Sequence, residues 1–171
     1  MGLNHFDILG IKPSPIINAS ELKKAFIAKQ RLVHPDTGDD TDDSQDLNAA
    51  YEILRTEEGA VKCFLLMFVS EEELNKNLLP ADFLMEMMEL SDIIEDSRVS
   101  GDVNDKQKAE KLISNLKSEL EIEKQNLFLE NSSNIENSSN AISQINPWIV
   151  WYQKARYYSR LRKNLDGFEE F

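Results

Sequence analysis

Asn18-Ala19-Ser20-Glu21-Leu22-Lys23-Lys24-Ala25-Phe26-Ile27-Ala28-Lys29-Gln30-Arg31-Leu32-Val33-His34-Pro35-Asp36 is the stretch that decides the fold. Leu22, Ala25, Phe26, Lys29, Leu32 and Val33 recur at three- and four-residue intervals, the period that lines one side of an α-helix. Asn18 with Glu21 three residues on has the pattern of a capping box, and Pro35, which lacks an N–H, stops the helix. Lys23, Lys24, Lys29 and Arg31 make the remainder basic. The chain therefore opens with a helix of about four turns, apolar on one side, that leads straight into His34-Pro35-Asp36.

Upstream, Asn4 to Ile11 reads as a short apolar turn closed by Gly10, and Pro13 and Pro15 break the chain after it. Downstream, residues 36–46 are rich in Asp, Thr, Ser and Gly and are predicted to form an exposed loop. A helix from about Ser44 to Arg55 follows, with Leu47, Ala50, Tyr51 and Leu54 along one side, suited to packing antiparallel to the basic helix. Residues 60–69 are almost wholly apolar and too short to cross a bilayer, so they read as a fully buried helix joining two subdomains.

Beyond a polar stretch at 71–77, Pro80 opens a helix to about Arg98, and Gly101 separates it from a long helix over roughly Asp105 to Leu129. Ala109, Leu112, Ile113, Leu116, Leu120 and Leu127 form the stripe of that long helix. The doubled Asn-Ser-Ser-Asn segment marks 130–145 as a flexible loop. Pro147 suits the first position of a last helix, to about Asp166, with Asn146 as its cap; a start near Ser139 would place Pro147 inside the helix. Trp148 and Trp151 read as bundle packing, and Lys154, Arg156, Arg160, Arg162 and Lys163 as partners of the acidic long helix or as a solvated face.

Of the 171 residues, 31 are Asp or Glu and 19 Lys or Arg, a net charge of -12 that repels phosphates and anionic lipid heads. No nucleic-acid or membrane partner is expected. Cys63 is the single cysteine, which leaves no internal disulfide and no thiolate metal cage, and it reads as a buried apolar residue. Two histidines, with no motif for phosphate, zinc or acyl chemistry, give an enzyme no footing. No catalytic residue, metal or cofactor is expected. The absence of a leader pattern or membrane span points to a bacterial cytoplasm, or to a mitochondrial matrix if the chain is already processed.

One helix carries a second pattern. In Phe83-Leu84-Met85-Glu86-Met87-Met88-Glu89-Leu90-Ser91-Asp92, the residues Phe83, Met87, Leu90 and Ile94 share an arc of about 60° and suffice as a core stripe. Leu84, Met85 and Met88 lie almost opposite, flanked by Glu89 and Asp92. Such a helix is either sandwiched in a bundle or presents a binding patch, and methionine suits a surface that adapts to a partner.

The order Phe6-Asp7-Ile8-Leu9-Gly10, basic helix, His34-Pro35-Asp36, then Asn48-x-Ala50-Tyr51-x-x-Leu54 resembles a J-domain. That resemblance implies a co-chaperone that stimulates ATP hydrolysis by a heat-shock-70-class chaperone. Phe64-Leu65-Leu66, the Phe83–Leu90 segment and Arg156-Tyr157-Tyr158-Ser159-Arg160-Leu161 together resemble the HscB (Hsc20 or Jac-type) family of iron-sulfur cluster assembly. The resemblance implies an all-α, L-shaped protein, with a J-domain helical hairpin over 1–70 and a three-helix bundle over 71–171. Its partners would be an HscA-type chaperone ATPase and an IscU-type scaffold.

By the same resemblance the chaperone would contact His34, Pro35, Asp36, Lys23, Lys24, Lys29 and Arg31, and the scaffold Leu84, Met85, Met88, Glu89, Asp92 and Tyr157. Asp36 offers a carboxylate to a bidentate arginine, and the cations steer an acidic partner. Ser91 stands where the family often has a basic residue, and Thr56-Glu57-Glu58-Gly59 lacks the usual Asp-Pro-Leu turn. The cysteine-rich extension of some eukaryotic relatives is not among these residues, so no zinc is expected. A general J-protein for unfolded clients is the alternative, against which stand the two-striped Met helix and the lack of a Cys-rich or Gly-Phe-rich region. A small acidic adaptor without ATPase coupling would require His34-Pro35-Asp36 to be silent.

Overall fold

The computed structural model describes residues 4–33, 42–131 and 141–167, and every regular element among them is a helix. The chain divides into two compact units, Met1–Leu74 and Asn75–Phe171.

In the first unit, α1 (His5–Leu9) is capped by Asn4, whose side chain accepts from the Asp7 N–H, and closed by Gly10 in the left-handed conformation at φ 68°. α2 (Ala19–Val33) starts at Asn18, whose Oδ1 accepts from the N–H groups of Ser20 and Glu21 at 2.9 and 3.2 Å. α3 (Asp42–Leu54) packs against both, with Tyr51 stacked on Phe26 at 4.3 Å between ring centroids. α4 (Glu57–Leu65) closes the unit against α3, and Phe6, Leu9, Leu22, Leu47, Ala50, Leu54, Val61 and Leu65 make its core.

Several expectations are corrected here. α3 begins at Asp42, two residues before the expected Ser44, and Ser44 is buried; residues 36–41 of the expected loop lie outside the described residues. The α2 stripe is buried at Leu22 but not at Leu32, which is 74% exposed, because the partner helix does not cover that side of the last turn. The apolar run 60–69 is not one buried helix: α4 begins at Glu57 and ends at Leu65, and Met67 and Phe68 are exposed. A ten-residue run circles the whole helix, so one packed side cannot bury all of it. Cys63 is only half-buried, and burial still pushes its thiol up, with nearby Lys62 opposing. The polar stretch 71–77 contains a helical turn, α5 (Glu71–Leu74), opened by a reciprocal cap between Ser70 and Glu73 at 2.9 and 3.2 Å and anchored by buried Leu74.

The second unit is a three-helix assembly of α6 (Ala81–Ser100), α7 (Val103–Asn131) and α8 (Ala141–Asp166). Each helix packs on the other two. Gly101, at φ 63°, turns the chain from α6 into α7. Ala109, Ile113, Leu116, Leu120 and Leu127 face the core as their spacing requires, while Leu112 sits at its margin. Trp148 and Trp151 are fully buried in edge-on contact, and Trp151 Nε1 donates to the Leu120 carbonyl at 2.8 Å. The segment before α6 is tied down by buried Gln153, which accepts from Leu78 N–H at 3.1 Å and donates to the Lys76 carbonyl at 2.6 Å.

Here too the boundaries shift. α7 runs to Asn131 and α8 already includes Ala141, so both ends of the expected loop are helical, and its residues 132–140 lie outside the described ones. Pro147 and Asn146 stand inside α8, not at its start. Buried Ile145, one position before Asn146, packs with the core and extends the helix upstream of the proline. Lys154 bonds Glu123 of the long helix at 2.9 Å, as its acidic face invites.

Lys124 is buried on α7, with its ammonium 2.6 Å from Glu121 and 5.8 Å from the Trp151 ring. Hydrogen bonds from Lys124 and then Gln125 hold the Glu121 carboxyl below its ordinary range. A depressed carboxylate stabilises the fold above its unfolded-state pKa, and that contribution disappears as pH falls through the folded value. Glu121→Gln is therefore expected to melt lower than the parent at pH 7, with the gap closing in acid below the ordinary carboxylate range; thermal melts across that range check it.

Gly59 gives a second test. A Cβ there would overlap the Ile53 carbonyl and crowd Thr56 Oγ1, which donates to that carbonyl at 2.9 Å and caps α4 by accepting from Gly59 N–H at 3.1 Å. Gly59→Ala should cost more than about 2 kcal/mol by denaturant melting. Thr56→Ala, which removes the cap and the hydroxyl's bond to the Ile53 carbonyl without a steric clash, should cost about 1 to 2 kcal/mol.

Candidate partner-binding surfaces

Two helical faces carry the residues singled out from sequence, one in each unit. On α2, Lys23, Lys24 and Arg31 are exposed and fall on the side of the helix away from buried Leu22. Ile27, 38% exposed, projects into the centre of that basic face, a position the stripe pattern did not single out. Lys29 points the other way: it is half-buried, and its Cε lies 3.2 Å from where a Cβ on Gly10 would be. Its stem thus covers the end of α1, where glycine leaves room for it. His34, Pro35 and Asp36 lie outside the described residues.

On α6 the two stripes separate. Phe83, Met87, Leu90 and Ile94 are buried, whereas Met85 and Met88 are 62% and 68% exposed. Leu84 is intermediate, and Glu89, Ser91 and Asp92 are exposed, so all five scaffold candidates on this helix share one open side. Burial of the Phe83 stripe is enforced by its surroundings: the Tyr157 ring meets Phe83 edge-on at 6.1 Å, and the Lys154 ammonium lies 5.6 Å from the Phe83 centroid.

Tyr157, from α8, is half-buried, and its ring meets Phe83 on the buried stripe. The Arg160 guanidinium lies 4.9 Å from the Tyr157 ring centroid. The open side of α6 is thus an apolar cluster flanked by carboxylates. Among the described residues no cluster of three His, Cys, Asp or Glu is placed to hold a metal ion, and no helix is long and apolar enough to cross a membrane.

With the helical hairpin and its basic face in view, the comparison with known families falls on the first unit: residues 4–60 match the DnaJ domain family. The chain is also similar to proteins named co-chaperone protein HscB homolog, so the likeness to HscB holds beyond the J-domain motif. The Acinetobacter baylyi relative (strain ATCC 33305 / BD413 / ADP1) is 26% identical over 99 residues, 56% of this chain and 58% of its own length. That of Acinetobacter baumannii strain ATCC 17978 is 24% identical over 102 residues, 57% of this chain and 59% of the relative. The match thus spans a little under three fifths of the curated relatives. No solved structure matches.

The two α6 stripes predict opposite mutational outcomes. Replacing Leu84, Met85 and Met88 together by Ala should barely shift the melting temperature, because two of the three side chains already face solvent. Phe83→Ala or Leu90→Ala should each cost roughly 2 to 5 kcal/mol as large-to-small changes in a packed core. Unfolding of the triple variant with tolerance at Phe83 and Leu90 would reverse the assignment of the two sides.

Proposed function

We propose that this chain is a co-chaperone of iron-sulfur cluster assembly, which binds an IscU-type scaffold through α6 and stimulates the ATPase of an HscA-type chaperone through its J-domain. The observation that carries the reading is the pairing, in one chain, of a DnaJ-family unit with a helix that leaves Met85 and Met88 in solvent beside Leu84, Glu89 and Asp92. An exposed apolar cluster rimmed by charge is unfavourable in water and is retained where a partner covers it. The similarity to relatives named HscB homologs supports the choice of partner.

In this reading the chain performs no covalent step. Lys23, Lys24 and Arg31 steer the J-domain to an acidic surface of the chaperone, and His34-Pro35-Asp36 supplies the stimulating contact. The apolar α6 patch holds the scaffold, with Tyr157 supporting Phe83 beneath it. Linking the two partners through one chain raises the effective concentration of scaffold at the chaperone.

A single-turnover ATPase assay with an HscA-type chaperone tests both halves. Hydrolysis is expected to accelerate with this chain and further when an IscU-type scaffold is added. His34→Gln and Asp36→Asn should abolish the acceleration while scaffold affinity, measured separately, is retained. The Leu84/Met85/Met88 triple Ala variant should do the converse, weakening scaffold binding by on the order of ten-fold or more. Undiminished stimulation by His34→Gln would rule out the J-domain mechanism.

A further inference from the structure

Three methionines of α6 stand within four residues of one another and meet water very differently. Met85 and Met88 are 62% and 68% exposed, whereas Met87 lies on the buried stripe at 6%. A thioether in water is open to hydrogen peroxide: the sulfur lone pair attacks one oxygen, an S–O bond forms as the O–O bond breaks, and the second oxygen leaves as water with both protons. The sulfur is oxidised, the peroxide is reduced, and an apolar side chain becomes a polar sulfoxide. The fold exposes two of these sulfurs to that reaction and shields the third.

The surroundings of the pair decide what the product does. At three and four positions along the helix, Met85 has Ala81, Asp82, Met88 and Glu89 as neighbours, and Met88 has Leu84, Met85, Ser91 and Asp92. Ionised carboxylates only accept hydrogen bonds, as does a sulfoxide oxygen, so the Ser91 hydroxyl is the single side-chain donor among them. A sulfoxide covered here by an apolar partner surface is buried without hydrogen bonds and beside negative charge, and both are costly. The core is not involved. Phe83, Met87, Leu90 and Ile94 hold the bundle together from the other side of the helix, so the oxidised chain keeps its fold while its open side changes character. Leucine would offer a similar volume and helix propensity at either position, so what methionine adds there is flexibility and a reactive sulfur.

We propose that Met85 and Met88 form a reversible oxidation site for hydrogen peroxide, through which sulfoxide formation releases the partner held by α6. This rests on the functional reading above and deepens it by naming a regulation of the same surface. Reversal consumes a pair of thiols on a methionine sulfoxide reductase: the oxygen leaves as water and the thiols become a disulfide. A scaffold seated on the patch shields both sulfurs, so the free chain is the form that is oxidised.

The full chain treated with hydrogen peroxide, then followed by fragmentation mass spectrometry, thermal melting and calorimetry with an IscU-type scaffold, tests the switch. Met85 and Met88 should gain oxygen well before Met87, with the melting temperature unchanged and scaffold affinity weakened by on the order of ten-fold or more. The two sulfoxide reductases, one for each sulfur epimer, should restore the affinity. Met67, 43% exposed in the first unit, is the control for general reactivity: Met67→Leu should stay as sensitive to peroxide as the parent. Met85→Leu combined with Met88→Leu should bind with the same affinity before and after treatment, although it retains Met67 and Cys63. Unchanged affinity once both sulfurs are oxidised, or a loss that Met67→Leu prevents, would overturn the switch alone. Absence of binding by the untreated chain would overturn the functional reading and the switch with it.

Discussion

Helix α6 is apolar on two sides and can bury only one of them, and the organisation of the second unit turns on which side wins. The Phe83, Met87, Leu90 and Ile94 stripe is the one packed against α7 and α8. It carries a large ring, and that ring finds an aromatic edge at Tyr157 and a cation at Lys154. Methionine gains less from a fixed site because three rotatable bonds must be ordered to fill it. The stripe with the large ring goes inward and takes one thioether, Met87, with it, while those of Met85 and Met88 are left in solvent, where adaptability is useful.

That choice holds only if α7 and α8 present a rigid wall. Trp151 donates to a main-chain carbonyl of α7, Lys154 bonds Glu123, and Lys124 is held between Glu121 and the Trp151 ring. The Trp151, Lys154–Glu123 and Lys124–ring contacts each join a position on one helix to a fixed position on its neighbour, so sliding by one turn would break several together. The polar contacts therefore set the register, and the apolar burial at Trp148, Ile113 and Leu165 supplies the larger share of stability.

Legibility in the sequence followed the helical period. It places the ends of α2, α6 and α7 within about two residues, and it separates Phe83 from Met88. It failed where the deciding fact is not periodic. Leu32 fits the stripe of α2, but the extent of the covering helix is a tertiary matter. The apolar run 60–69 has no period, so only the cap at Thr56 and the close approach at Gly59 reveal where α4 begins. Ser70 and Glu73 did spell a cap, hidden by the acidic run around them. At α8 the proline and the Asn-Ser repeat both read as breakers, and buried Ile145 outweighs them.

The candidate surfaces were legible because each is defined by charge set against an apolar pattern. α2 bears four cations and one carboxylate, while α6 bears six carboxylates and one arginine. Two helices of opposite sign in a chain of net charge -12 cannot attract the same partner face equally. A surface complementary to Lys23, Lys24 and Arg31 is repelled by Asp92 and Asp96, and a cationic surface suited to α6 is repelled by α2. On the proposed function, this opposition of charge discriminates between the two partners through repulsion as well as attraction.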